Sequence, residues 1–133
     1  MTLLSVRDLR VTFDTEAGVV EAVRGVSFSL DRERLGIVGE SGSGKTMTGR
    51  SVLRLIRPPG RIAAAEMSFD GIELTRASEH EMRGLRGHRI AMVMQDPQFS
   101  LNTVMSVGRP LTEGPRRLDG VGRAEALKRA VAA

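Results

Sequence analysis

The 133-residue sequence has no cysteine, no tryptophan and no tyrosine, and only four phenylalanines. Without thiols there is no disulfide, no thiolate metal site and no sulfur nucleophile, which suits a reducing compartment. With so few rings, a stacking platform for single-stranded nucleic acid is hard to build. The formal net charge of +4 comes from arginines scattered along the chain, so no nucleic-acid partner is expected. Long apolar runs are also lacking. No stretch approaches the ~20 residues of a membrane span, and the opening MTLLSVRDLR has no signal-peptide core. The expectation is a soluble, cytoplasmic chain unless a partner recruits it. Lysine is the last scarcity: 18 arginines stand against two lysines, Lys45 and Lys128.

Lys45 lies in the most informative stretch, Gly39 to Thr46, which reads GESGSGKT. Glycine, four residues and then Gly-Lys-Thr is the spacing of a phosphate-binding loop. Glycines 39, 42 and 44 let the backbone turn tightly and approach an anion closely. The N–H groups of Ser41, Gly42, Ser43 and Gly44 would then form a nest at a helix N-terminus, where the dipole also favours negative charge. Lys45 would reach the terminal phosphates as a point charge, a task for which a fork-shaped guanidinium is a poor replacement. The Thr46 hydroxyl would be a ligand of Mg²⁺.

The flanks fit a strand–loop–helix context. Leu35 to Val38 is a short apolar run suited to a buried strand, and Thr46 to Ile56 has helical spacing, ended by Pro58-Pro59-Gly60. Upstream, Leu4–Phe13, Val19–Val23 and Val26–Leu30 read as successive strands, with a turn at Asp14–Gly18 and a break near Arg24-Gly25. Downstream, Glu66–Phe69 and Ile72–Leu74 flank Asp70-Gly71, a hairpin signal. Ser78 and Glu81 have capping-box spacing for a short helix toward Leu85. Ile90–Met94 reads as a second buried strand ending in a Gln95-Asp96-Pro97 loop. Val104–Leu111 is ambiguous, Gly114-Pro115 should interrupt any helix, and Arg123–Ala133 is helical, with Ala124, Leu127, Ala130 and Val131 on one face. His80 and His88 lack partners at metal-ligand spacing.

The stretches LLSVRDLRVTF, AVRGVSFSL, RLGIVGESGSGKT and RIAMVMQDPQFSLN, in this order, resemble the ATP-binding subunit of ABC transporters, in the oligopeptide, dipeptide and nickel importer branch. The resemblance implies an α/β fold: a P-loop NTPase core preceded by a small antiparallel β subdomain, truncated before the signature helix and Walker B strand. Residues 1–34 would be a segment of the antiparallel subdomain, 35–105 the core up to the Q-loop, and 106–133 the start of a helical subdomain. ATP and Mg²⁺ are the implied cofactors. Phe13 stands where the family stacks an aromatic on adenine, although it also continues an apolar strand face. Gln95 matches the Q-loop glutamine, placed to position Mg²⁺ or the attacking water; the bland alternative is an ordinary strand-ending residue.

The implied partners are membrane subunits, met through the Q-loop region, and a second ATP-binding subunit in a head-to-tail dimer. The implied location is the inner face of the cell membrane. Three positions depart from the family pattern: Arg32 and Ala65 stand for glycines, and Thr103 for a proline. No LSGGQ-like signature, Walker B Asp-Glu pair or switch histidine is present. The leading expectation is therefore ATP binding as part of a peptide-importer ATPase, with little hydrolysis by these residues alone. The alternatives are a non-hydrolysing nucleotide-binding or regulatory module and, further off, a small P-loop kinase using Asp96.

Overall fold

Alternating apolar residues near the N-terminus build a long antiparallel hairpin. In the computed structural model, which describes residues 2–94, 102 and 104–132, strand β1 (Leu4–Thr15) pairs with β2 (Gly18–Leu30) over its whole length. A Glu16–Ala17 turn joins them, with the Thr15 hydroxyl donating to the Gly18 carbonyl at 2.6 Å. Val19–Val23 and Val26–Leu30 are thus one strand, not two. The expected break near Arg24-Gly25 is a bulge: Gly25 has φ +83°, and the register slips by one residue between Leu9 and Arg10. The register also shifts between Val6 and Leu9 and again between Val11 and Thr12, where Ala22 is left unpaired between Glu21 and Val23. A bulge adds one residue to one strand and increases its local twist without ending it.

The free edge of β1 takes two further strands. Helix α1 (Lys45–Val52) comes first in the chain and contacts both β1 and β2. Strand β3 (Gly60–Ala63) then pairs with Arg10–Phe13, and β4 (Glu66–Phe69) pairs with Leu4–Arg7. Strand β5 (Ile72–Glu73) folds back on β4 through Asp70-Gly71, where both φ values are positive, as a two-residue hairpin turn requires. Helix α2 (Glu79–Leu85) opens with the anticipated capping box: the Ser78 hydroxyl accepts from the Glu81 N–H at 3.2 Å, and Glu81 accepts from the Ser78 N–H at 2.7 Å. Leu9, Val11, Met67, Leu74 and Met82 are fully buried and form the core of this part.

The chain divides into two compact units, 1–83 and 84–133. The second holds α3 (Gly108–Leu118) and α4 (Arg123–Ala132), packed on each other. Contrary to expectation, α3 runs through Gly114-Pro115. Proline removes one N–H, and its ring disfavours a helical conformation in the preceding residue mainly through that residue's Cβ and N–H. Gly114 has no Cβ, so much of that obstruction is gone. On α4 the buried residue is Ala126, Ala130 is half-buried, and Leu127 and Val131 of the expected apolar face are exposed.

Two more expectations fail. Leu35–Val38 and Met92–Met94 carry no strand pairing, and Ile90 makes only an isolated bridge to Arg86. A strand needs a neighbour for its N–H and C=O groups, and among the described residues neither run has one. Val38 and Val93 are each 94% exposed. Helix α1 also stops early, at Val52 rather than Ile56. Arg54 adopts φ +52°, turning the chain, and its guanidinium donates to the Leu74 and Ala77 carbonyls. Among the described residues, no helix is long and apolar enough to cross a membrane.

Candidate functional site

Ser41-Gly42 forms a turn, Ser43-Gly44 a bend, and α1 begins at Lys45 with Gly44 as its N-cap. Gly42 and Gly44 have φ +78° and +89°, a backbone region that side chains rarely tolerate. Space confirms the requirement at Gly44. A Cβ placed there falls 2.5 Å from the Ala22 carbonyl oxygen and 3.3 Å from Val23 Cγ2. The helix N-terminus therefore seats directly on β2 at its bulge. At Gly39 a Cβ would fall 2.6 Å from Ser43 Oγ, so the two ends of the loop nearly touch.

Lys45 folds back over this loop. Its ammonium donates to the Gly39 carbonyl at 2.7 Å, the Glu40 carbonyl at 2.6 Å and Ser43 Oγ at 3.2 Å. The Ser43 N–H also donates to the Glu40 carbonyl, at 3.2 Å. Three donors of one ammonium thus close the loop around the lysine. The first turn of α1 leaves its N–H groups without intrahelical acceptors and carries the positive end of the dipole.

The hydroxyls of α1 sort themselves by role. Thr48 donates to the Gly44 carbonyl at 3.0 Å, and Ser51 donates to the Met47 carbonyl at 2.7 Å; both are buried. Thr46 is exposed in the first turn, and among the described residues its hydroxyl makes no hydrogen bond. It stands next to Lys45.

Phe13 is half-buried on β1 and pairs with Val20 on one side and Gly60 on the other. Strand alternation puts its ring on the same face as Val11, and Val11 pairs with Val23, the residue against Gly44. Phe13 and the loop thus share one face of the hairpin, with Phe13 two strand steps, or roughly 7 Å, farther along. Gln95 and Asp96 lie outside the described residues. Neither β3 nor the Ala22 bulge is legible in the sequence. Gly60 registers there only as a helix terminator, and a bulge leaves no compositional mark at an alanine.

A glycine-bounded loop, closed by a lysine and capping a helix, defines the class: a phosphate-binding loop on an α/β scaffold. The donor chemistry fits a nucleoside triphosphate: a helix N-terminus entered through Gly42 and Gly44 at positive φ, with the Lys45 ammonium and the exposed Thr46 hydroxyl beside it. Comparison with known proteins narrows the class. The family described as "ABC transporter" matches residues 23–131, and this chain belongs to it.

Over 131 residues the chain is 47% identical to the oligopeptide transport ATP-binding protein OppD of Bacillus subtilis, covering 97% of this chain and 37% of that protein. It is 45% identical to OppD of Escherichia coli, covering 97% and 38%. A probable peptide ABC transporter ATP-binding protein, y4tR of Sinorhizobium fredii, is 46% identical, with 97% and 39% covered. The chain thus spans less than two fifths of the length of these relatives. Among solved structures, the ATP-binding cassette MJ0796, described as dimeric and bound to ADP and Pi, superposes with a TM-score of 0.80 at 21% identity. That match covers 97% of this chain and 54% of the other, and it shows the shared fold.

Proposed function

We propose that these residues form the nucleotide-binding part of an ATPase subunit that powers peptide uptake. The loop geometry at Lys45 carries the reading: three glycines shaped by contact or by positive φ, a lysine folded over the loop and an exposed Thr46 hydroxyl. The names of the relatives support the peptide as cargo. In this reading Ser41–Gly44 hold the phosphates through backbone N–H groups, Lys45 neutralises their terminal charge, and Thr46 holds Mg²⁺. Phe13 supports the adenine ring, since Phe presents the same π-face as other aromatics.

Gln95 orients the water or the metal. Mg²⁺, when bound, supplies charge neutralisation at the phosphates. The partners are two membrane subunits, reached through the segment around Gln95, and a second ATP-binding subunit arranged head to tail. The protein works at the inner face of the cell membrane. With no Asp-Glu pair after an apolar run and no LSGGQ-like stretch in the sequence, these residues bind ATP with little turnover.

The test is a Mg-ATP titration of the chain beside Lys45→Ala. A charge-assisted contact is worth roughly 1.5–3 kcal/mol, so the variant should bind about ten- to a hundredfold more weakly. Equal affinity for both would sink the assignment.

A further inference from the structure

We propose that Gly60 is a positioning residue for the Phe13 ring, and that Gly60 and Ile56 together form the floor on which this base platform rests. The inference depends on the reading of Phe13 as the adenine support. Its own basis is atomic. Phe13 and Gly60 are direct partners across β1 and β3. A Cβ built on Gly60 would lie 2.6 Å from Phe13 Cε1, 2.5 Å from Ile56 Cγ2 and 3.0 Å from the Arg57 carbonyl oxygen. Real Cβ atoms do not approach other atoms so closely, so the ring edge and the isoleucine methyl occupy the volume that any larger residue would need.

Gly60 is not among the glycines with positive φ. What the position demands is space above the Cα. Glycine otherwise weakens a strand, since it adds entropy cost and offers nothing to pack. Two contacts hold the strand in place. The Gly60 N–H donates to the Arg57 carbonyl at 2.9 Å, and Arg61 pairs with Asp14 at 2.6 Å, next to Phe13 in the chain. The ring is half-buried, its edge lies against Gly60, and strand alternation puts it on the face that carries Val11. An alanine at position 60 must lift or tilt the ring.

An aromatic covering a glycine across a strand pair can also be a purely structural device, and the experiment separates the two. Mg-ATP and inorganic triphosphate are titrated into the wild-type chain, Phe13→Ala, Gly60→Ala, Ile56→Ala and the Phe13→Ala/Gly60→Ala double variant. Base–aromatic stacking predicts that Phe13→Ala weakens ATP binding about five- to a hundredfold and leaves triphosphate binding unchanged. Gly60→Ala should show the same selective loss to a smaller degree, and the double variant should be no weaker than Phe13→Ala alone. Ile56→Ala introduces no clash, so it carries the test if Gly60→Ala does not fold; it too should weaken ATP and spare triphosphate.

Equal loss of ATP and triphosphate in Gly60→Ala would reduce Gly60 to a structural residue and overturn the inference. Unchanged ATP binding in both Gly60→Ala and Ile56→Ala, with Phe13→Ala weakened, would overturn it while leaving the platform standing. Unchanged ATP binding in Phe13→Ala would remove the platform and the floor together.

Discussion

At Gly44 the conformational and the steric demands coincide, and at Gly42 only one of them applies. Both have positive φ, but a Cβ on Gly42 meets nothing within 4 Å, while one on Gly44 runs into the Ala22 carbonyl. Placing alanine in the left-handed region costs about 1–2 kcal/mol. Gly42→Ala should lose about that much stability in urea unfolding. Gly44→Ala should lose clearly more, because backbone cannot swing aside as a flexible side chain can, and it should also weaken Mg-ATP binding by displacing the start of α1. Equal losses in the two variants would contradict the close seating of α1 on β2.

Within elements, the local devices were the legible ones. The Ser78–Glu81 capping box, the Asp70-Gly71 turn and the bounds of α4 depend on residues a few positions apart, so sequence shows them. Ser78→Ala should cost about 1 kcal/mol, read from denaturant midpoints. The Glu81 carboxyl is held below its ordinary value first by the Ser78 hydroxyl and then by the Ser78 N–H. Its folded pKa is depressed, so its contribution is present above the ordinary carboxylate pKa and is lost as pH falls through the folded value. Melting temperatures of Glu81→Gln should therefore converge with those of wild type in acid and fall below them near neutrality.

Helix α3 was not legible, because Gly114 relieves part of the obstruction that makes proline a breaker. Pro115→Ala should restore one backbone donor and raise the helical circular-dichroism signal and the thermal midpoint; a lower midpoint would show that Pro115 is braced by something other than its helix.

For the whole molecule, pairing partners are distant in sequence, and there the reading of apolar runs fell short. As short apolar runs, Leu35–Val38 and Ile90–Met94 suit buried strands, yet Leu35, Ile37, Val38, Val93 and Met94 are exposed. Apolarity marks a run that favours burial and says nothing of what would bury it. Of the candidate site, Gly39–Thr46 was visible because its chemistry is contiguous, whereas the Ala22 seat and the Gly60 floor exist only once the hairpin forms. Exposed apolar surface and unpaired strand edges promote association. The purified 133-residue chain should bind an apolar dye and self-associate as its concentration rises, and Val38→Lys with Val93→Lys should reduce both. A sedimentation profile of a pure monomer without dye binding would contradict this.

The β1–β2 hairpin also acts as a ruler. The loop touches it at Ala22 and Val23, and Phe13 lies a fixed number of pleats away on the same face. Along β1, Val11 and Phe13 are two residues apart and so share a face, while on β2 the Ala22 bulge absorbs the odd residue between Val20 and Val23. Length changes should therefore be tolerated at the Glu16–Ala17 tip, whereas one codon inserted between Val11 and Phe13 would carry the ring to the opposite side of the sheet. In a library of single-codon insertions and deletions selected for ATP binding, survivors should cluster at the tip and be absent from the graduated stretch between the two marks.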